Sequence, residues 1–168
     1  NIFFNNVKNL PVNATVLDLG GSDGSYMDRM KKHFPNTYSM VIADIDESSL
    51  QIAKEKGYNV ILMDASSGGF QFKDKEFDCI FCNSAIEHVT IDKDKIWTTI
   101  KGFRKESLEI QKKFADEIRR CARSYYVQTP HRHFPIEAHT WFPLISYMPR
   151  FLQIFTIRVL NTFWVKKT

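Results

Sequence analysis

The segment Val16–Tyr26 constrains the fold of this chain more than any other. An apolar run from Ala14 to Leu19 predicts a buried strand, which stops at the pair Gly20-Gly21. Gly24 then precedes a stretch with helical spacing. A strand, a glycine-rich turn and a helix in this order are typical of a doubly wound α/β domain, whose first turn cradles a nucleotide. The glycines let the backbone approach a ligand, and the helix start offers free N–H groups.

The residues of this turn narrow the kind of nucleotide. A dinucleotide fingerprint needs three glycines, but the chain has Ser22 and Ser25 where the second and third would stand. The Gly-Lys-Ser/Thr ending of a P-loop is missing as well. A pyrophosphate has no need of a carboxylate beside it, whereas a cationic or amine-bearing ligand does, and Asp18 supplies one. The turn therefore disfavours a nicotinamide-dependent oxidoreductase and a triphosphate-binding protein.

The pattern Asp-x-Gly-x-Ser-x-Gly at residues 18–24 resembles the first motif of class I S-adenosylmethionine-dependent methyltransferases, in particular the type 11 methyltransferase-like domain. Ser22 stands where that family often has its middle glycine, a departure that a small residue tolerates. Three further apolar runs follow in the order that the family has, and each ends in polar residues. They are Tyr38–Ala43 before Asp44 and Ile45, Val60–Met63 before Asp64 and Ala65, and Phe77–Cys82 before Asn83 and Ser84, with Ile86-Glu87-His88-Val89 after the last.

The resemblance implies a Rossmann-like, mostly parallel sheet with helices on both sides, and S-adenosylmethionine as the cofactor. Asp18 would brace the turn and approach the methionine amino group, directly or through water. Asp44 would accept both ribose hydroxyls, and Asp64 the adenine amino group. The implied cofactor-binding residues are Asp18, Gly20, Gly21, Ser22, Gly24, Asp44, Ile45, Asp64, Ala65, Asn83 and Ser84. Solvated loop or helix-cap roles are at least as well supported for Asp23, Asp46 and Glu87.

Histidines dominate the segment that would face the methyl acceptor. His131, His133 and His139 lie directly after the predicted fifth strand, and His88 follows the fourth. We expect these four to be the catalytic residues, as a general base or as hydrogen-bond partners of the substrate. The pattern His-x-His followed by Glu-x-His also offers enough ligands for a metal. Methyl transfer from a sulfonium seldom needs a metal, so we expect none; purely structural histidines are the remaining alternative.

Composition constrains the number of domains, the kind of partner and the cellular location of the protein. At 168 residues with 43% hydrophobic and 25% charged residues, the chain fits one globular domain. A scattered net charge of +4 gives no reason to expect a nucleic-acid partner. Three cysteines and no recognisable signal peptide predict a reducing, cytoplasmic location. Cys79 and Cys82 form a C-x-x-C, but residues three apart on a strand point to opposite faces, so we expect buried apolar roles rather than zinc or redox chemistry.

The last forty residues are aromatic and basic. Within a single domain, residues 1–130 would form the cofactor-binding core and 131–168 an acceptor-side segment with an aromatic tail. The family continues with two more strands, whereas only Gln153–Leu160 reads as a strand here, so the sheet edge is expected to be shortened. Three interpretations of the tail stay open: a cover over the acceptor pocket, a dimer contact, and a surface that lies on a membrane.

These observations favour a methyltransferase that acts on a small molecule or a glycan. The segment Thr129–His139 also resembles a Thr-Pro-x-Arg-x-Phe-Pro-Ile-Glu-x-His run of methyltransferase-like proteins associated with glycan or cell-envelope biosynthesis. The alternative from another class is a non-catalytic module that binds S-adenosylmethionine or S-adenosylhomocysteine. The oligomeric state does not follow from the sequence.

Overall fold

A computed structural model describes residues 10–33, 37–66, 69–90, 100–129 and 147–163. The chain divides into two compact units, Asn1–Thr129 and Pro130–Thr168. The first holds the whole described sheet and the second holds the last described helix. The assignment of both units to one domain stays a prediction.

Five parallel strands form the sheet in the first unit. They are β1 (Thr15–Leu19), β2 (Ser39–Asp44), β3 (Asn59–Leu62), β4 (Phe77–Asn83) and β5 (Ala122–Gln128), in the order β3-β2-β1-β4-β5. At the centre, Leu17 of β1 lies beside Val41 of β2 and Ile80 of β4. The strand order reverses between β1 and β4, which is where α/β sheets open a crevice for ligands. The doubly wound parallel fold predicted from the sequence is confirmed.

Helices cover both faces of this sheet because its central strands are apolar on both sides. On one face, Val16 and Ile42 pack with Met27 and Met30 of α1 (Ser25–Lys31) and with Leu50 of α2 (Glu47–Glu55). On the other face, strand residues such as Leu17 and Ile80 pack with Phe114 and Ile118 of α3 (Ile100–Cys121). The core therefore consists of two apolar layers separated by the sheet.

The two cysteines of the C-x-x-C pattern belong to different layers. Cys79 is buried on the α1 side and Cys82 on the α3 side, and both are free thiols. Burial raises the pKa of the Cys82 thiol to about 12, which keeps it protonated and unreactive. The predicted buried apolar roles of both residues are confirmed.

Local sequence signals set both ends of α2. Asp46 caps α2, accepting hydrogen bonds from the Ser48 amide at 3.1 Å and from the Ser49 hydroxyl at 2.6 Å. After this helix, Gly57 takes a left-handed conformation with φ 90°.

The long helix α3 differs from the sequence-based prediction. The pattern indicates an interruption at Gly102 and a fresh helical stretch from Glu106, but α3 runs unbroken from Ile100 to Cys121. A glycine inside a helix costs about 1 kcal/mol. The burial of Phe114 and Ile118 outweighs that cost, since each large apolar side chain contributes about 1.5–3 kcal/mol.

The strand predicted at Gln153–Leu160 is wrong, because Arg150–Phe163 forms helix α4. The Pro149 carbonyl accepts hydrogen bonds from the Leu152 amide at 2.9 Å and the Gln153 amide at 3.0 Å, so the helix begins directly after the proline. A short apolar run with β-branched residues fits either structure by periodicity alone. None of the described helices is both long enough and apolar enough to cross a bilayer.

Candidate functional site

The turn after β1 brings the backbone close to its neighbours at two glycines. Gly20 has φ 79°, and a Cβ built on it would lie 2.5 Å from the Cβ of Ala85. Gly24 has φ 74°, and its Cβ would lie 2.7 Å from Cδ1 of Ile42. The left-handed conformation favours glycine at both positions, and at Gly20 a side chain would also collide with Ala85. The result is a tight turn that ends directly at the first residue of α1.

Ser22, at the position where the family often has glycine, is also left-handed, with φ 50°. A non-glycine residue costs roughly 1–2 kcal/mol in this region. One bond holds it there: the Ser22 amide donates to Oδ2 of Asp44 at 2.8 Å. The conformation explains why glycine suits this position and how serine is tolerated.

Asp44 connects the two loops that flank its strand end. Besides the bond from Ser22, its Oδ1 accepts a hydrogen bond from the Asp46 amide at 3.0 Å. Each carboxylate oxygen has a second lone pair, so the side chain still has acceptor capacity toward a ligand. Asp44 thus braces the glycine turn, and its role toward ribose hydroxyls stays a prediction.

Asp18 lies beneath the glycine turn and is almost fully buried, with 2% of its surface exposed. A Cβ on Gly21 would come within 2.7 Å of its Cγ and Oδ2, so the backbone passes directly over the carboxyl group. Among the residues that the structure describes, none donates a hydrogen bond to Oδ2. Burial, with the nearby charge of Asp44, raises the pKa of Asp18 to about 7. An unpaired buried acceptor of this kind fits a ligand with a positively charged donor group.

The crevice at the switch point is a cavity of about 280 Å³. Seven of the predicted site residues line it: Gly20, Asp44, Ile45, Asp64, Ala65, Ser84 and His88. The other lining residues, which the sequence analysis did not assign to the site, are Leu19, Ala43, Met63, Ser66, Ala85, Val89, Thr90 and Phe114. Asp18, Gly21, Ser22, Gly24 and Asn83 lie outside this lining, and so does Thr129, which the order of strand ends would also bring to the crevice.

The residues missed by the sequence analysis fall into two kinds. Most are next to predicted ones in the chain, as Ala85 is next to Ser84, so extending each motif by one or two positions would find them. Phe114 is different, because it reaches the crevice from the inward face of α3. Its helical spacing predicts burial but gives no indication of the cavity.

The loop after β3 is held by Asp64. Its Oδ1 accepts from the amide and the hydroxyl of Ser66, at 2.8 and 2.6 Å. This Asx turn fixes the backbone beside Ala65, where the resemblance implies that adenine lies.

Beyond β4 the chain holds several polar groups close to the crevice. Ser84 is left-handed with φ 54°, and its amide donates to the Gln128 carbonyl at 2.8 Å. His88 ends a short 3-10 helix, Ile86–His88, and is exposed at the cavity. Both carboxylate oxygens of Glu87 and Oδ1 of Asn83 are buried, with no hydrogen-bond partner in the described part of the chain. Glu87 is therefore neither a solvated loop residue nor a helix cap.

Asp23 forms an Asx turn just before α1, whose N-cap is Gly24. It accepts from the amide and the hydroxyl of Ser25, at 3.0 and 2.6 Å, and these bonds lower its pKa to about 2. Lys56, just after α2, donates to the Asp23 carbonyl at 2.8 Å and contacts the carboxylates of Asp23 and Asp28. The lysine therefore ties the glycine turn to the neighbouring helix.

Three of the predicted catalytic histidines, His131, His133 and His139, lie outside the described residues, so their roles stay predictions. Among the residues that the structure describes, no group of three or more side chains has the composition of a metal site.

A sequence model of the family described as "Methyltransferase domain" matches residues 16–106, more than half of the chain. The chain belongs to the class I S-adenosylmethionine-dependent methyltransferases. S-adenosylmethionine is the cofactor of this family. The orphaned Oδ2 of Asp18 and the close backbone approach at Gly20 fit such a cofactor, which carries a cationic amino-acid end and an adenosine.

A curated relative, the ubiquinone/menaquinone biosynthesis C-methyltransferase UbiE of Escherichia coli O1:K1, is 36% identical over 87 residues. That match covers 48% of this chain and 34% of the relative, about a third of its length. Among solved structures, a methyltransferase from Clostridium acetobutylicum aligns with a TM-score of 0.48 and 20% identity, covering 73% of this chain and 44% of the other. Another from Aquifex aeolicus gives 0.46 and 21%, covering 68% and 53%.

Proposed function

We propose that this methyltransferase moves a methyl group from S-adenosylmethionine to a small-molecule or glycan acceptor at the crevice between β1 and β4. The observation that carries the proposal is the gathering of Gly20, Asp44, Asp64, Ser84 and His88, from four separate strand ends, around one cavity. The partial similarity to UbiE, whose name places it in quinone biosynthesis, supports a small-molecule acceptor.

In this proposal the acidic residues hold the cofactor. Asp44 accepts hydrogen bonds from the ribose hydroxyls while it keeps the Ser22 amide in place. Asp64 accepts from the adenine amino group, beside the amide of Ala65. Asp18 takes the methionine ammonium, directly or through water, and that contact would favour its charged form.

S-adenosylmethionine, when bound, supplies a methyl group on a positively charged sulfur. The chain's task is then to align the acceptor and to exclude water. Apolar side chains at the cavity, Met63, Val89 and Phe114, suit the second task. His88 stands at the same cavity and would take a proton from an acceptor hydroxyl or amine, a step that such acceptors require.

A test compares ligand binding with turnover. Calorimetric titration should give tight binding of S-adenosylmethionine and S-adenosylhomocysteine and much weaker binding of NAD or ATP. Transfer of a labelled methyl group is then measured across a panel of quinone, phenol, amine and glycan acceptors. Cofactor binding without transfer to any of them would support the non-catalytic module, and NAD as the tightest ligand would refute the cofactor assignment.

The acceptor-side histidines give a second test. His133→Ala and His139→Ala should each lower turnover and leave the affinity for S-adenosylhomocysteine nearly unchanged, because they follow the fifth strand and the cofactor is expected over the first three. His33→Ala, in the loop after α1, serves as the control for loss of an imidazole. A stoichiometric metal in elemental analysis, or activity abolished by a chelator and restored by zinc, would contradict this assignment.

A further inference from the structure

Helix α4 exposes its large apolar side chains. Phe151 is 75% exposed and Phe155 64%, and Leu152 and Val159 are exposed as well. At 100° per residue, these four positions fall within an arc of about 100° on the helix surface. The partly buried side of the helix instead contains Gln153 and Thr156, together with two isoleucines. The pattern is the reverse of a helix whose apolar face packs against its own domain.

The positive charge of the chain is concentrated in the same unit. Residues 130–168 contain five basic residues, Arg132, Arg150, Arg158, Lys166 and Lys167, against one acidic residue, Glu137. Their excess equals the net charge of +4 of the whole chain, so residues 1–129 are balanced. No acidic residue follows Glu137 in the sequence. The unit that exposes the apolar face is therefore the unit that attracts anions.

We propose that this face of α4 docks on an anionic lipid bilayer. Exposed aromatic and aliphatic side chains on one side of a helix insert at the boundary between headgroups and acyl chains. Basic residues of the same segment of sequence add attraction to anionic headgroups, of roughly 1 kcal/mol each close to the surface. A folded protein partner could cover the apolar arc, but the absence of acidic residues over the last 31 positions matches a negatively charged surface of large extent. The proposal does not depend on methyl transfer.

Sedimentation with vesicles tests the proposal on the full chain. It should sediment with vesicles of phosphatidylcholine and phosphatidylglycerol, and much less with phosphatidylcholine alone. High salt should weaken the binding, since it screens the electrostatic part. The double variant Phe151→Ser/Phe155→Ser should reduce the partition coefficient by at least about tenfold, because two exposed rings no longer insert. Lys166→Gln/Lys167→Gln should remove part of the preference for phosphatidylglycerol.

The matched control is Ile52→Ser/Leu108→Ser, which removes two apolar side chains that are 47% and 63% exposed on helices of the neutral unit. It should bind vesicles as the parent does. Binding of S-adenosylhomocysteine and the circular dichroism spectrum establish that each variant is folded, and they separate this test from that of the proposed function. The proposal is overturned if the parent does not bind anionic vesicles. It is also overturned if Phe151→Ser/Phe155→Ser binds them as tightly as the control Ile52→Ser/Leu108→Ser. A concentration-dependent dimer that Phe151→Ser/Phe155→Ser dissociates, without vesicle binding, would also overturn it.

Discussion

Replacing Asp18 by Asn should change how the stability of this protein depends on pH. Asp18 is buried beneath the glycine turn, and its pKa is raised from 3.8 to about 7, mainly by burial and then by the charge of Asp44. Between these two values the folded protein holds a proton that the unfolded chain releases. The stabilisation is therefore fully present below pH 4 and is lost as the pH rises through about 7.

The size of the effect follows from the shift. About three pKa units, at about 1.4 kcal/mol each, correspond to a loss on the order of 4 kcal/mol in the free energy of unfolding between pH 4 and pH 8. In Asp18→Asn this loss should disappear. The free energy of unfolding of the variant, relative to that of the parent, should therefore rise by the same amount between pH 4 and pH 8. Its absolute stability also reflects the new amide, which is why the pH dependence is the diagnostic quantity.

Urea denaturation at several pH values measures both proteins. Asp46→Asn is the control, because hydroxyl and amide donors from Ser49 and Ser48 lower the pKa of this exposed cap, and its contribution is lost only as the pH falls below 4. A difference between the parent and Asp18→Asn that stays constant from pH 4 to pH 8 would refute the argument. With ligand present, affinity for S-adenosylhomocysteine should rise through pH 7 in the parent and stay flat in the variant.

Substitutions at three further positions, Asp44, Ser22 and Lys56, test the glycine turn and its supports. Asp44→Ala should weaken binding of S-adenosylhomocysteine by roughly 10- to 100-fold in calorimetry, since charge-assisted hydrogen bonds contribute about 1.5–3 kcal/mol. An unchanged affinity in a folded variant would show that another residue binds the ribose hydroxyls. Ser22→Val should lower the free energy of unfolding by about 1–2 kcal/mol, because a β-branched residue suits φ 50° poorly. Ser22→Gly should leave that free energy nearly unchanged. Equal effects of the two substitutions in urea denaturation would contradict this prediction. Lys56→Met should weaken binding of S-adenosylhomocysteine by a few-fold, because it releases the Asp23 carbonyl. Lys54→Met, two residues earlier in the last turn of α2, should not weaken it. Identical affinities of the two variants would show that Lys56 does not position the cofactor.

The strands and the turn of this fold are predictable from sequence because they depend on local patterns. The run before Gly20 is short and stops at two glycines, which favours a buried strand, and the Asp46 side chain suits a helix cap. The errors occur where tertiary packing decides. Gly102 reads as an interruption, yet a helix that buries Phe114 continues through it. The apolar run after Pro149 fits a strand or a helix equally well until its surroundings are known.

The candidate site shows the same limit. The order of the strand ends predicts that Gly20, Asp44 and Asp64 meet, since parallel strands end at one edge of the sheet. The order of the strand ends does not predict that the Asp18 carboxyl group is buried, because its burial depends on how closely the backbone of Gly21 passes above it. Nor does it predict Phe114, which approaches from a helix far away in the chain.

The pairing of β1 with β4 also determines when the site can assemble during synthesis. The bond between Ser22 and Asp44 spans 22 positions, whereas the bond from the Thr15 amide to Asp78, which joins the two halves of the sheet, spans 63. Closing the longer loop costs more chain entropy and slows folding. A nascent chain that has passed Asp44 can form the glycine turn, but it has no opposite wall until β4 emerges. The complete crevice, to which the segment after β4 contributes Ser84 and His88, therefore forms only after β4 has paired with β1.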